Sequence, residues 1–236
     1  MKPADRIIVA LDVDTRSEAL DLVHKLRGKV GLFKVGSQLF TAEGPELVRE
    51  IAGLGERIFL DLKYHDIPNT VVKSALAAMR LGVSMLTLHT AGGQTMMAAV
   101  AHALKGASQS DLTPIVLAVT VLTSLRDQDL KEIGYHAASG EQVIRLALLA
   151  QQSGMDGIVA SAAELPELRE RFGNSLILVT PGIRPSGSDV GDQSRISTPL
   201  AAVQAGADYL VIGRPITASR DPIQSLEKIL EELSRS

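Results

Sequence analysis

The chain has no cysteine and no tryptophan, and aromatic residues make up only 3% of it. The missing cysteines exclude disulfides, thiolate-held zinc, iron–sulfur clusters and cysteine nucleophiles. So few aromatics argue against stacking on bases or sugars as the main mode of binding. Lys and Arg number 24 against 27 Asp and Glu, a net charge of −3. The electrostatic footprint of a nucleic-acid binder is therefore missing. No apolar run approaches the ~20 residues that a membrane-spanning helix needs. The opening "MKPADRIIVALDV" carries no cleavable signal pattern. A cytoplasmic protein without a nucleic-acid or membrane partner is expected. A phosphorylated small molecule fits, because it needs only one or two local cations and some backbone amides.

What is present is an ordinary globular composition, 45% hydrophobic and 22% charged over 236 residues. Eight short aliphatic runs recur: 6–13, 31–36, 57–63, 84–90, 114–122, 157–161, 176–182 and 209–213. Amphipathic helical patterns separate them, for example "SEALDLVHKLRG", "NTVVKSALAAMRLG" and "EQVIRLALLAQQSG", and "DPIQSLEKILEELS" closes the series. Most of these patterns end in Gly, as helices often do. Near-continuous apolar strands alternating with helices predict a parallel sheet covered by helices. The count and even spacing favour an α/β fold of the (β/α)8 TIM-barrel type over a doubly wound open sheet. No linker or low-complexity tract divides the chain, so one catalytic domain over 1–236 is expected.

A barrel directs chemistry to the C-terminal ends of its strands and the loops after them. Asp12, Lys34, Asp61, Lys63, His89, Thr123, Arg184 and Arg214 collect at those positions. In "FLDLKYHDIPNT" (59–70), Asp61 and Lys63 stand two apart on a strand and face one side. The plainer reading is a buried ion pair that caps the barrel. Such pairs gain little stability for their desolvation cost, and Lys34 and Asp12 at matching strand ends weaken that reading further. A Schiff-base lysine needs desolvation or a neighbouring cation to shed its proton. Lys63 instead has carboxylates for neighbours, which suits a proton donor. After strand seven comes "TPGIRPSGSDVGDQSR" (180–195), and at the end of strand eight "VIGRP". Loops at these two positions are the common phosphate site of the fold, with Gly213 and Arg214 as candidate ligands. None of the five histidines belongs to a His-x-x-x-His pair or a visible metal cluster, and structural roles are expected for them.

"LDLKYHDIPNT" resembles the signature of the orotidine 5'-monophosphate decarboxylase family. "ALDV", "FKVGSQLF", "TLHTAGG", "VTVLTS", "TPGIRP" with "GDQSR", and "IGRPI" are similar to the same family, in order, over nearly the whole chain. The resemblance implies conversion of orotidine 5'-monophosphate to uridine 5'-monophosphate and carbon dioxide in de novo pyrimidine synthesis, without cofactor or metal. It implies that Lys63 protonates carbon 6, that Asp61 lies against the substrate carboxylate, and that Lys34 completes an alternating charge array. It also implies Asp12 on a ribose hydroxyl, Thr123 on the base, and Gln193 bridging base and phosphate. Arg184, Gly213 and Arg214 would hold the phosphate. Asp66 and Thr70 would reach the neighbouring site of a homodimer.

Two rivals stand beside it. Magnesium-dependent sugar-phosphate decarboxylases and synthases of the same suprafamily share the D-x-K-x-x-D pattern but resemble each other in carrying an acidic residue at the end of strand two. Here that position is Lys34, and a cation cannot ligate magnesium. A non-catalytic nucleotide-phosphate binder would need the phosphate loop, but not Lys63 and its carboxylates.

Overall fold

The computed structural model describes residues 1–107, 113–185 and 197–234. Eight parallel strands close into a barrel in sequence order. They are β1 (Ile7–Ala10), β2 (Leu32–Gly36), β3 (Ile58–Tyr64), β4 (Met85–His89), β5 (Ile115–Val119), β6 (Gly157–Val159), β7 (Ile177–Thr180) and β8 (Tyr209–Ile212). Closure is made by β1 against β8, with Ile8 beside Val211. Each of the eight aliphatic runs corresponds to one strand, and β3 extends one residue beyond its run, to Tyr64. The other strands are shorter than their runs, as in 114–122, where β5 ends at Val119. Beyond it the chain leaves the barrel to form the cavity wall described below.

The helices between strands are α1 (Arg16–Leu26), α2 (Ser37–Gly53), α3 (Pro68–Arg80), α4 (Gly93–Ala107), α5 (Asp127–Glu132), α6 (Ser139–Gln152), α7 (Leu165–Phe172), α8 (Pro199–Ala205), α9 (Arg214–Thr217) and α10 (Pro222–Leu233). Local chemistry sets their starts. Thr15 and Glu18 form a capping box on α1: the Thr15 hydroxyl accepts the Glu18 N–H and the Glu18 carboxylate accepts the Thr15 N–H. Pro68 opens α3, and Asp221 accepts the Gln224 N–H at 3.0 Å to cap α10. The helical pattern of "GPELVREIAGLG" (44–55) in the sequence accounts for only the second half of α2. A helical turn precedes it, and Gly44 (φ 69°, ψ −168°) breaks the helix just before Pro45. The short α5 and α9 have too few residues to show a period, and the sequence pattern does not reveal them.

The alternation of side chains across each strand divides the core in two. Inside the barrel, Ile8, Leu32, Phe59, Met85, Leu117, Val179 and Tyr209 form a packed plug. Outside it, Ile7, Val9, Phe33, Val35, Ile58 and Leu60 face the helices, in one cluster with Leu47, Ile51, Val71, Met97 and Leu226. No helix among the described residues is long and apolar enough to cross a membrane.

Gly157 on β6 shows how tightly this cylinder is packed. A Cβ there would meet the Ile177 carbonyl oxygen at 2.3 Å and Leu117 Cδ2 at 2.9 Å. The first of these is rigid backbone of the next strand. Gly157→Ala is therefore expected to destabilise the fold by about 1–3 kcal/mol, as overpacking does, which urea unfolding measures. An unchanged midpoint would show that β6 and β7 can separate there.

Candidate active site

Two residues above the plug, the next inward positions of several strands form the floor of a cavity. These residues include Ala10, Lys34, Asp61, Val119, Val159 and Val211. The cavity holds about 450 Å³ and opens at the C-terminal ends of the strands, with Asp12, Gln38, Lys63, Leu122, Thr123, Gly182, Arg184, Gly213 and Arg214 around it. That volume is within the range of small-ligand sites.

Four charges of alternating sign cross one side of this floor. Lys34 Nζ donates to Asp12 Oδ1 at 2.9 Å and lies 3.8 Å from Asp61 Oδ2. Lys63 Nζ donates to the same Asp61 Oδ2 at 2.8 Å. Lys34 is buried, whereas the side chain of Asp12 is half exposed toward the mouth. A charge so placed needs opposite charges in contact, and Lys34 has two.

Asp61 obeys the two-residue alternation expected of the strand, but Lys63 does not. Strands β3 and β4 pair as Leu60 with Leu86 and then as Tyr64 with Leu88. Three residues of β3 therefore stand opposite Thr87 alone. Lys63 has φ 51°, a left-handed backbone that a non-glycine residue seldom adopts. This bulge, rather than a two-residue period, aims the ammonium back at Asp61. Thr87 holds it: its hydroxyl accepts the Lys63 N–H at 2.9 Å and donates to Asp61 Oδ1 at 2.9 Å.

Next to Asp12, Gly213 follows β8 and Arg214 begins α9, as the sequence placed them. Arg184 is buried, and its guanidinium donates to the Ile183 carbonyl at 2.9 Å. Both arginines and Thr123 line the same cavity as Lys63. Gln193 and most of the loop 185–195 lie outside the described residues. Asp66 and Thr70 do not line the cavity of their own chain. Both are exposed, Asp66 accepts the N–H of its neighbour Ile67, and Ile67 is 66% exposed. Sequence reasoning missed Gln38, which donates to Asp14 at 2.6 Å, and Leu122 and Thr87. Only Thr87 left a signal, a hydroxyl within the aliphatic run 84–90.

Beside β3, the rings of His65 and His89 stack with centroids 5.5 Å apart. His89 Nδ1 accepts the Ala91 N–H at 3.3 Å. Burial holds the His89 pKa below its ordinary value, helped by the positive charges of His65 and Lys63. The structural role expected for His89 fits this neutral, acceptor-bearing ring.

Residues 5–229 match the family described as orotidine 5'-phosphate decarboxylase / HUMPS. The orotidine 5'-phosphate decarboxylase of Idiomarina loihiensis is 52% identical over 229 residues, covering 97% of each chain. That of Syntrophotalea carbinolica is 49% identical over 231 residues, 97% of this chain and 95% of the relative. Among solved structures, the crystal structure of orotidine 5'-phosphate decarboxylase from Lactobacillus acidophilus superimposes with a TM-score of 0.86. It is 38% identical and covers 96% of this chain and 98% of that one.

The electrostatics of the His pair can be measured. Proton NMR titration should place the His89 pKa below 6.5. Lys63→Met removes one positive neighbour and should raise it. The value should stay below 6.5, because burial is the larger cause. A His89 pKa indifferent to Lys63 would separate the two side chains electrostatically.

Proposed function

The chain belongs to the orotidine 5'-phosphate decarboxylase / HUMPS family, and we propose that it converts orotidine 5'-monophosphate to uridine 5'-monophosphate and carbon dioxide, with Lys63 as the proton donor. The observation that carries this reading is the chain Asp12–Lys34–Asp61–Lys63 on the cavity floor. In it the end of β2 presents an ammonium where a magnesium-binding relative would want a carboxylate. A cation wedged between two carboxylates competes with a metal for both.

In this mechanism the bond from carbon 6 to the carboxyl carbon breaks and its electron pair remains on carbon 6. That pair lies in the ring plane, where the π system cannot delocalise it. The Lys63 ammonium stabilises it and then delivers a proton to it, and solvent restores the proton to the amine. Asp61 lies against the departing carboxylate, so their repulsion is relieved as carbon dioxide forms. A positioned acid accounts for roughly 10²–10⁴-fold, or about 3–5 kcal/mol, of the ~8–23 kcal/mol by which enzymes lower barriers. The rest falls to preorganised charge and to binding energy from remote groups. The assigned remote group is the phosphate, held by Arg184, Gly213, Arg214 and Gln193, with Asp12 on the ribose and Thr123 on the base.

We extend the proposal to a homodimer. Asp66 and Thr70 are exposed and outside their own cavity, and the apolar Ile67 between them is exposed too. A facing copy would cover Ile67 and bring both polar residues to the partner's mouth.

Loss of orotidine 5'-monophosphate absorbance is the direct test, and turnover should survive exhaustive chelation. Activity lost on chelation and restored by magnesium would instead favour the sugar-phosphate branch. Lys63→Ala should lower kcat by at least about 10²–10⁴-fold while uridine 5'-monophosphate still binds. Product binding without turnover by the wild-type protein would mark a binding module.

Subunit mixing tests the shared site. Lys63→Ala and Asp66→Asn should each be inactive alone. Random exchange makes half the dimers mixed, and half the sites in those dimers are intact. About a quarter of wild-type activity should therefore return by two-fold symmetry. No recovery after demonstrated exchange would confine Asp66 to its own chain or remove it from catalysis.

A further inference from the structure

The roles assigned above leave one buried polar side chain at the floor of the site without a function. Thr87 is fully buried and is not part of the cavity wall. It is the one residue of β4 opposite Asp61, Leu62 and Lys63 of β3. A regular parallel ladder would pair the Lys63 N–H with a backbone carbonyl of β4. Here the Thr87 hydroxyl takes that place, at 2.9 Å.

The direction of these bonds is decided by chemistry. A backbone N–H can only donate, so the Thr87 oxygen is the acceptor from Lys63. The hydroxyl has a single proton, and its other partner is Asp61 Oδ1 at 2.9 Å. That oxygen accepts the hydroxyl's proton. Asp61 Oδ2 meanwhile accepts from Lys63 Nζ at 2.8 Å. One hydroxyl thus fixes the backbone of the lysine and the carboxylate of its partner. Lys63 also holds a positive φ, 51°, unlike every other described non-glycine residue. Such a backbone persists only where its surroundings impose it.

We infer that Thr87 is a positioning residue: by clamping the Lys63 N–H and Asp61 Oδ1 it holds the ammonium in line with the reacting carbon, without touching substrate. This rests on the decarboxylase reading for its effect on rate, though not for the clamp itself. A shift of about 1 Å in a reacting group can cost on the order of 10²-fold.

Thr87→Val keeps the shape and removes the hydroxyl, and Thr87→Ser keeps the hydroxyl. The expected result for Thr87→Val is a kcat lower by about 10–100-fold, with uridine 5'-monophosphate affinity within about twofold of wild type. Thr87→Ser should restore most of the kcat. Hydrogen exchange at the Lys63 amide should quicken at least about tenfold in Thr87→Val and stay near wild type in Thr87→Ser. Should Thr87→Val not fold, Thr87→Ala is compared with Thr87→Ser in the same way. Wild-type kcat in a folded variant lacking the hydroxyl would overturn the inference and leave the decarboxylase reading standing. If the wild-type protein has no decarboxylase activity, that reading falls. The exchange measurement then still decides whether Thr87 clamps Lys63, and unchanged exchange overturns it.

Discussion

Lys34 is buried between two carboxylates, and much of the mouth is arranged around that fact. An ammonium withdrawn from water is tolerable only with opposite charge in contact. Its two partners come from different segments, Asp12 after β1 and Asp61 within β3. The contact therefore ties the ends of three neighbouring strands, in which Ala10 pairs with Lys34 and Lys34 with Phe59. Gly36 leaves room for it, since a Cβ there would sit 3.0 Å from Lys34 Nζ. Asp61 is then shared between two lysines, and its orientation is determined from both sides.

Beneath these charges lies an apolar plug, with Leu32 below Lys34 and Phe59 below Asp61 on the same strands. Few polar atoms there can screen the charges above. An apolar layer below and an opening only above make each charge act more strongly on its neighbours and on anything bound in the cavity. The fold and the electrostatics are in this sense one construction, because the alternation that fills the cylinder also sets the charges upon it.

Much of this could be read before any coordinates. Periodicity located all eight strands, since a strand buried on both faces has no alternative to an apolar run. It located the floor residues Lys34 and Asp61, which obey the strand period. It failed where the backbone departs from a period: at the Gly44 break in α2, in the short α5 and α9, and above all at Lys63. The bulge interrupts the alternation that would place Asp61 and Lys63 on one face, and a left-handed lysine has no sequence signature. Thr87 escaped notice because a lone threonine is ordinary in a strand, and its meaning comes only from what stands across from it.

A barrel without edges cannot let one strand slide to accommodate extra length. The surplus residues of β3 have nowhere to go but outward, toward the mouth. Two lysines of identical reach thereby work at different heights. Lys34, on a regular strand, has a side chain 10% exposed, and Lys63, lifted by the bulge, has one 37% exposed. The lower one is anchored as a fixed counter-charge between two carboxylates, while the upper one stands further out in the cavity, within reach of solvent. The fold thus gives one amino acid two settings by main-chain length alone.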